Sequence, residues 1–262
     1  MTFNSGNQGS CSSLNEFAIT FDIDWAPDWS VLQTAAILIK KKIKATWFVT
    51  HDSPALHYLR EHNDLFELGL HPNFQKDSTH GKRPREVMDN MMTIVPEAKS
   101  VRTHGLVQSS SLLKMMAEEY GIEYEVSILL RETPNISPHR LYTSKNGSLV
   151  RIPFFWEDDY EMMSPVPFFS FIPSNYKMPG LKIFNYHPIH ISLNTSSFDF
   201  YQACKAKTPQ MTDLTMEHAG SYINHDHGTL TMLQEMTDSL MHNRQTGTKI
   251  YEIGKAFEQH HR

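Results

Sequence analysis

Acidic side chains follow the first apolar segment of the sequence, and carboxylates are groups that can hold a metal ion or remove a proton. Asp22 and Asp24 come directly after the apolar residues 17–21. If that segment is a strand that continues, carboxylates at positions i and i+2 leave the same face. They repel each other unless a cation or hydrogen-bond donors lie between them, and a bound metal is the usual solution. The structural alternative is a pair of capping acids in a loop.

Two histidines follow a later apolar segment. His71 comes directly after residues 66–70 and precedes Pro72, and His80 lies in a Ser-Thr-His-Gly turn. Two imidazoles and one carboxylate bind Zn²⁺ or a similar cation and leave positions open for water and substrate, as in catalytic sites. The sequence therefore indicates a catalytic metal site, although a loop histidine can also be a surface residue.

Arg102 and His187 also come directly after short apolar segments. An arginine at such a position can pair with a carboxylate and keep it ionised and oriented. A histidine there can give a proton to a leaving amine. Each alone is also compatible with a structural ion pair or a hydrogen-bonded core histidine. Their occurrence together with the acids and histidines above favours a single site.

The segments between these residues alternate between strand and helix patterns. Strands are predicted at residues 17–21, 45–49, 65–70, near 101 and at 124–128, with helices at 28–42, 54–61, 84–94 and 110–120. Residues 131–179 have no clean period except a strand-like piece at 149–155, and they precede a strand at 182–186 and helices at 198–205 and 229–241. This alternation predicts a parallel sheet, either a barrel or a doubly wound sheet. Its strand ends bring the polar side chains together.

The composition excludes several classes of protein. A chain of 262 residues with 40% hydrophobic residues can bury a core, and we expect a flexible segment at residues 1–16 and one catalytic domain at 17–262. The net charge of -5 argues against a nucleic-acid partner. Cys11 and Cys204 do not make a disulfide framework, and neither a signal peptide nor an integral membrane segment is evident. We expect a cytoplasmic protein; no oligomeric state is indicated.

Five short motifs between residues 17 and 190 resemble, in order, those of the polysaccharide deacetylase superfamily, a carbohydrate esterase group. They are Ile19-Thr-Phe-Asp-Ile-Asp24, Ala45-Thr-Trp-Phe-Val49, Glu67-Leu-Gly-Leu-His71, Arg102-Thr-His-Gly105 and His187-Pro188. The resemblance implies an α/β fold with a distorted (β/α) barrel. It also implies a metal-dependent hydrolase that removes an N-acyl group, in the first place acetyl, from an amino sugar or glycan precursor.

The resemblance also implies a role for each residue. Asp22 is the general base, Arg102 orients it, and His187 protonates the departing amine. Asp24, His71 and a second histidine hold a divalent metal, most simply zinc. This division of roles makes chemical sense, because a metal polarises the poorly electrophilic amide carbonyl and lowers the pKa of water to about 7.

Three positions depart from the family pattern. Ile23 separates two aspartates that are adjacent in the family, so the division of their roles between base and ligand stays open. Gln75 stands where the family has its second metal histidine; we assign that role to His80, with Gln75 and His104 as alternatives. Thr103 replaces the usual proline of the arginine motif.

Aromatic and acidic side chains close to these motifs are expected to contact the sugar, since aromatic planes stack on pyranose rings and acids accept from hydroxyls. The predicted substrate-binding residues are Trp25, His104, Trp156, Asp158, Asp159 and His190. Residues 151–159 are equally compatible with a core strand that has a polar end. Two other functions remain open: hydrolysis of another small amide, such as a formamido or ureido compound, and non-catalytic sugar binding. Retention of both a base and an acid argues against the second.

We predict that Asp22→Asn keeps the metal but loses most turnover, because the amide preserves the shape of the carboxylate and cannot accept a proton. Metal analysis of the purified variant and its rate of acetate release check this expectation. A near-normal rate would exclude Asp22 as the base. Loss of the metal would show that the roles of Asp22 and Asp24 are exchanged.

Overall fold

The computed structural model describes residues 17–145 and 147–261. The predicted flexible segment at residues 1–16, which includes Cys11, lies outside the described residues. The single catalytic domain expected at residues 17–262 stays a prediction. Within the described ranges, no helix has both the length and the apolar composition needed to cross a membrane.

Nine strands and ten α-helices are found in the described part of the chain. The strands are β1 (Phe17–Asp22), β2 (Ala45–Val49), β3 (Phe66–Leu70), β4 (Ser100–Val101), β5 (Tyr124–Glu125), β6 (His139–Tyr142), β7 (Ser148–Arg151), β8 (Trp156–Glu157) and β9 (Lys182–Tyr186). The helices are α1 (Asp28–Lys41), α2 (Ala55–Glu61), α3 (Pro84–Ile94), α4 (Ser110–Glu119), α5 (Asp158–Met162), α6 (Pro188–Leu193), α7 (Phe198–Lys205), α8 (Met216–Gly220), α9 (Thr229–His242) and α10 (Ile250–His260).

The strands form one sheet in the order β6-β7-β5-β4-β3-β2-β1-β9-β8, curled into a half-barrel. All neighbouring pairs are parallel except β6 and β7, which are antiparallel. Helices cover both faces of a parallel sheet. Strands β1 and β2 are therefore buried almost throughout, and most of their residues are apolar. The predicted α/β fold with a distorted barrel is confirmed.

The sequence patterns locate most elements up to α4, and they miss several shorter or later ones. The predicted bounds of β2, α3, β9 and α7 coincide with those in the structure. The edge strand β6 and the helices α5, α6, α8 and α10 were not predicted. Helices of five or six residues are too short to show a helical period, which explains why α5, α6 and α8 were missed.

The sheet brings the chemistry-bearing residues to one edge. Asp22 is the last residue of β1, and His71, Arg102 and His187 directly follow β3, β4 and β9. Asp158 follows β8 and begins α5. Because these strands are parallel, their carboxyl ends lie at the same edge, where side chains from distant parts of the sequence meet.

Helix α10 packs its Gly254 against the ring of Tyr124 in β5, and a Cβ atom built on Gly254 would lie 2.1 Å from that ring. We predict that Gly254→Ala lowers the free energy of unfolding by about 1 to 3 kcal/mol through overpacking. Gly220→Ala is the matched control, because its Cβ would meet nothing within 4 Å. Urea unfolding of both variants measures the difference, and equal midpoints would contradict this close packing.

Candidate functional site

A buried ion pair lies at the centre of the site. Arg102 Nη1 donates to Asp22 Oδ1 at 3.0 Å, and both side chains are inaccessible to solvent. Asn185 Nδ2 donates to the other carboxylate oxygen at 2.9 Å. The rings of Phe48 and Phe154 enclose the guanidinium group, with centroids 4.6 and 4.4 Å from its Cζ. Asp22 is therefore held by two donors in one orientation, as predicted for Arg102 and Asp22.

Asp24 is positioned by a turn, and not by a continuing strand as the sequence predicted. Strand β1 ends at Asp22, so the two aspartates do not leave one face of a continuing strand. Asp24 and Trp25 both have left-handed backbone angles, with φ of 43° and 55°. That conformation is strained for residues other than glycine, and Thr50 stabilises it by accepting from the Trp25 amide at 3.1 Å. The turn directs Asp24 toward the histidines.

Three side chains converge beside this turn. Asp24 Oδ1 lies 3.0 Å from His71 Nε2 and 3.0 Å from His104 Nδ1, and the two ring nitrogens are 3.4 Å apart. His71 Nδ1 is 2.7 Å from the carbonyl oxygen of Arg102, so it carries a hydrogen and donates. Its Nε2 faces Asp24, and in the neutral ring this nitrogen carries the lone pair that a cation would take. Metal-binding histidines are usually fixed in this way, by a hydrogen bond from the ring nitrogen that does not bind the metal.

The charges in this group are strongly coupled. Burial alone would raise the pKa of Asp24, but hydrogen bonds from His104 and His71 and the positive charges of His71 and His187 hold it well below its usual value. Burial would lower the pKa of His104, and Asp24 raises it. The donor set is one carboxylate and two imidazoles whose ligand atoms lie within 4.8 Å of one another. It fits a divalent cation of the zinc type.

His80, predicted as the third ligand, lies outside this group. Among the described residues it belongs to none of the sets of converging metal-ligand atoms. Its Nδ1 accepts from the Asn73 amide at 3.0 Å, because the loop folds back on itself, and its Nε2 is buried without a hydrogen-bond partner in the described structure. Burial lowers its pKa to about 4. The geometry places His104 where the sequence analysis placed His80, and Gln75 is exposed.

His187 lies next to this group. Its Nε2 lies 3.6 Å from Asp24 Oδ2. Asp158 accepts from both the His187 backbone amide, at 2.8 Å, and the ring Nδ1, at 2.7 Å. Burial would lower the pKa of His187, but the charges of Asp159 and Asp158 raise it well above its usual value. The ring is therefore fixed by Asp158 and retains its proton at neutral pH.

Asn185 and Glu157 were not predicted as site residues. Asn185 Nδ2 donates to Glu157 Oε1 at 3.2 Å as well as to Asp22. Burial raises the pKa of Glu157 to about 7. The position of Asn185, two residues before His187 near the end of a strand, is the sequence signal that points to it. Glu157 adjoins the predicted Asp158 but carries no comparable signal.

A cavity of about 670 Å³ opens over these residues. Four of the predicted substrate-binding residues line it: Trp25, His104, Asp159 and His190. The other two do not. Trp156 is buried against Phe169, Phe184 and Tyr186, and Asp158 is buried beneath His187. Strand alternation turns Trp156 into the core, so these two residues support the site from behind instead of facing a ligand.

Comparisons with known proteins gave one family model and several similar solved structures. Residues 19–205 match the family model described as WbmS-like polysaccharide deacetylase. The chain is similar to WbmS of Bordetella bronchiseptica, described as a candidate polysaccharide deacetylase involved in O-antigen biosynthesis, with 32% identity and a TM-score of 0.77 over 87% of this chain and 91% of that one. A family 4 acetyl xylan esterase of Clostridium thermocellum, solved with a cobalt ion, has 13% identity and a TM-score of 0.46 over 92% and 90%. Comparison with curated proteins gave no match.

We predict that Asp158→Asn lowers the pKa of His187 in the cation-free protein, because the ring loses its buried carboxylate partner. The protonated ring stabilises the fold below about pH 6.5, and this stabilisation is lost as the pH rises through the raised pKa. NMR titration of the histidine rings in chelator measures the pKa directly. Asp213→Asn, at an exposed carboxyl, is the control, and an unchanged His187 pKa in Asp158→Asn would contradict the role of Asp158.

Proposed function

Because the chain belongs to the WbmS-like polysaccharide deacetylase family, we propose that it is a cation-dependent hydrolase that removes the N-acetyl group from an amino sugar of a glycan precursor. Family membership supports deacetylase activity on glycans. The cation dependence and the mechanism rest on one observation, the grouping of three kinds of side chain. A three-ligand set, a fixed carboxylate and a fixed protonated histidine meet beside one cavity.

In this proposal Asp24, His71 and His104 hold the cation. Their ligand atoms already converge without it, and the Arg102 carbonyl fixes the tautomer of His71. When bound, a divalent cation supplies Lewis-acid chemistry, polarising the acyl carbonyl and making water more acidic. The low pKa of Asp24 keeps its carboxylate ionised and ready to bind.

Asp22 acts as the general base. Arg102 and Asn185 each occupy one lone pair of its oxygens, which leaves further lone pairs free, since a carboxylate has about four acceptor sites. A carboxylate oriented in this way can accept a proton from water. Asp22, Glu157 and His187 have ligand atoms within 4.8 Å of one another, so the base and the acid serve the same reacting centre.

His187 acts as the general acid. Its Nδ1 is engaged by Asp158, so Nε2 is the atom that delivers a proton to the departing amine. The raised pKa keeps that proton in place until the amine needs it. A positioned histidine of this kind contributes a factor of about 10² to 10⁴ to the rate.

The cavity supports a sugar-sized substrate. Its volume of about 670 Å³ lies within the range of small-molecule sites. Trp25 and Tyr201 present aromatic rings at its wall, on which a pyranose ring can stack. The exposed carboxylate of Asp159 offers acceptor atoms to sugar hydroxyls.

We predict that His104→Ala loses the cation, whereas His80→Ala retains it, because only His104 has a ring nitrogen within reach of Asp24 and His71. Metal analysis after dialysis against buffer that contains a low concentration of Zn²⁺ measures the content of each variant. Circular dichroism confirms that both are folded. Retention by His104→Ala together with loss from His80→Ala would assign the ligand to His80.

The function is tested by measuring acetate release from a panel of N-acetylated sugars and nucleotide sugars with the Zn²⁺-loaded protein. We expect release from at least one of them. His187→Ala should lower the rate by a factor of about 10² to 10⁴ and have a smaller effect on substrates with better leaving groups. The proposal would be contradicted if the cation-free protein bound sugar with full affinity and no condition gave acetate release. That result would support non-catalytic sugar binding.

A further inference from the structure

A second set of metal-ligand atoms lies next to the first. Oxygen and ring nitrogen atoms of Asp159, His187 and His190 are all within 4.8 Å of one another. His190 Nε2 lies 2.8 Å from Asp159 Oδ1, and His187 Nε2 lies 3.9 Å from Asp159 Oδ2. This is again two imidazoles and one carboxylate, and all three residues line the cavity that Asp24 and His104 of the first set also line.

Both imidazoles of this second set are fixed through their other nitrogen. His187 Nδ1 is held by Asp158, and His190 Nδ1 faces the Thr195 hydroxyl at 3.2 Å. Each ring therefore points its Nε2 atom at Asp159. Anchoring of one ring nitrogen while the other faces the ion is the arrangement that supports metal-binding histidines. Nearly complete burial of both rings limits any other orientation.

The local charge also favours a second cation. Five acidic residues gather around His187, namely Asp22, Asp24, Glu157, Asp158 and Asp159. Among the described residues, Arg102 is the one permanently charged cation in contact with them. Asp24 Oδ2 lies 3.6 Å from His187 Nε2, so the Asp24 carboxylate stands between the two sets. One carboxylate between two ions is a common arrangement of paired metal sites.

We propose that Asp159, His187 and His190 form a second, weaker site for a divalent cation such as Zn²⁺, and that an ion bound there inhibits the enzyme. Inhibition follows because the ion displaces the proton from His187 Nε2 into solvent, and that atom is the one that protonates the departing amine; this part rests on the proposed function. The site is weaker than the first for two reasons. Asp159 is 45% exposed, and an ion there is repelled by the ion held at Asp24.

The experiment titrates protein already loaded with one Zn²⁺ per chain with further Zn²⁺. Equilibrium dialysis with metal analysis counts the ions, and acetate release is followed over the same concentrations. We expect a second ion per chain and a fall in rate with the same concentration dependence. Asp159→Asn should keep the first ion and weaken the second by at least about tenfold, because loss of a direct ligand costs at least as much as loss of an outer partner. Its inhibitory Zn²⁺ concentration should rise by the same factor.

Asp64→Asn is the matched control. Asp64 is an exposed carboxyl that precedes β3, so it lies at the end of that strand that is far from His71 and the site. Its second Zn²⁺ affinity should equal that of the unaltered protein. A single ion at every concentration, or a second ion that Asp159→Asn binds equally well, would overturn the site. A rate that rises with the second ion would overturn the inhibition. Absence of acetate release at one ion per chain would instead contradict the proposed function, and the ion count would still decide the second site.

Discussion

The buried guanidinium group of Arg102 is the interaction on which the rest of the site depends. A charge removed from water is tolerated only when it is paired and hydrogen-bonded. Arg102 Nε and Nη1 meet this requirement through Asp22, Thr20, Asn185 and the carbonyl oxygen of Val126, whereas Nη2 is buried without a hydrogen-bond partner in the described structure. Its own carbonyl oxygen accepts from His71. Arg102, which directly follows β4, therefore orients the Asp22 carboxylate through its side chain and the His71 imidazole through its backbone.

The site divides its histidines by their partners. His71 donates to a neutral carbonyl and can present a lone pair to a cation, whereas His187 donates to the buried carboxylate of Asp158 and holds its proton. Asp24 lies between the two rings and contacts both. The same residue type thus has two different hydrogen-bond acceptors a few ångströms apart, and the ionised acceptor stabilises the protonated His187 ring.

The sequence patterns predicted the alternation of strands and helices and the residues at the strand ends. Runs such as Ala45–Val49 are buried on both faces of a parallel sheet, so their apolar character is visible locally. The predicted pairing of Arg102 with Asp22 is present in the structure. The antiparallel edge strand β6 was missed, because its residues are largely exposed and show no apolar pattern.

The sequence by itself determined which chemical groups stand at the strand ends. Because the carboxyl ends of parallel strands share one edge of the sheet, these groups gather at that edge whatever path the loops take. Only the tertiary structure decided which groups touch. His104 meets Asp24 because two left-handed residues turn the chain after β1, whereas the Nδ1 atom of His80 is engaged by the Asn73 amide of its own loop. Asp158 lies under His187 for a similar reason, being brought there by the pairing of β8 with β9. Such contacts depend on backbone turns and on packing between distant segments, which no local pattern records.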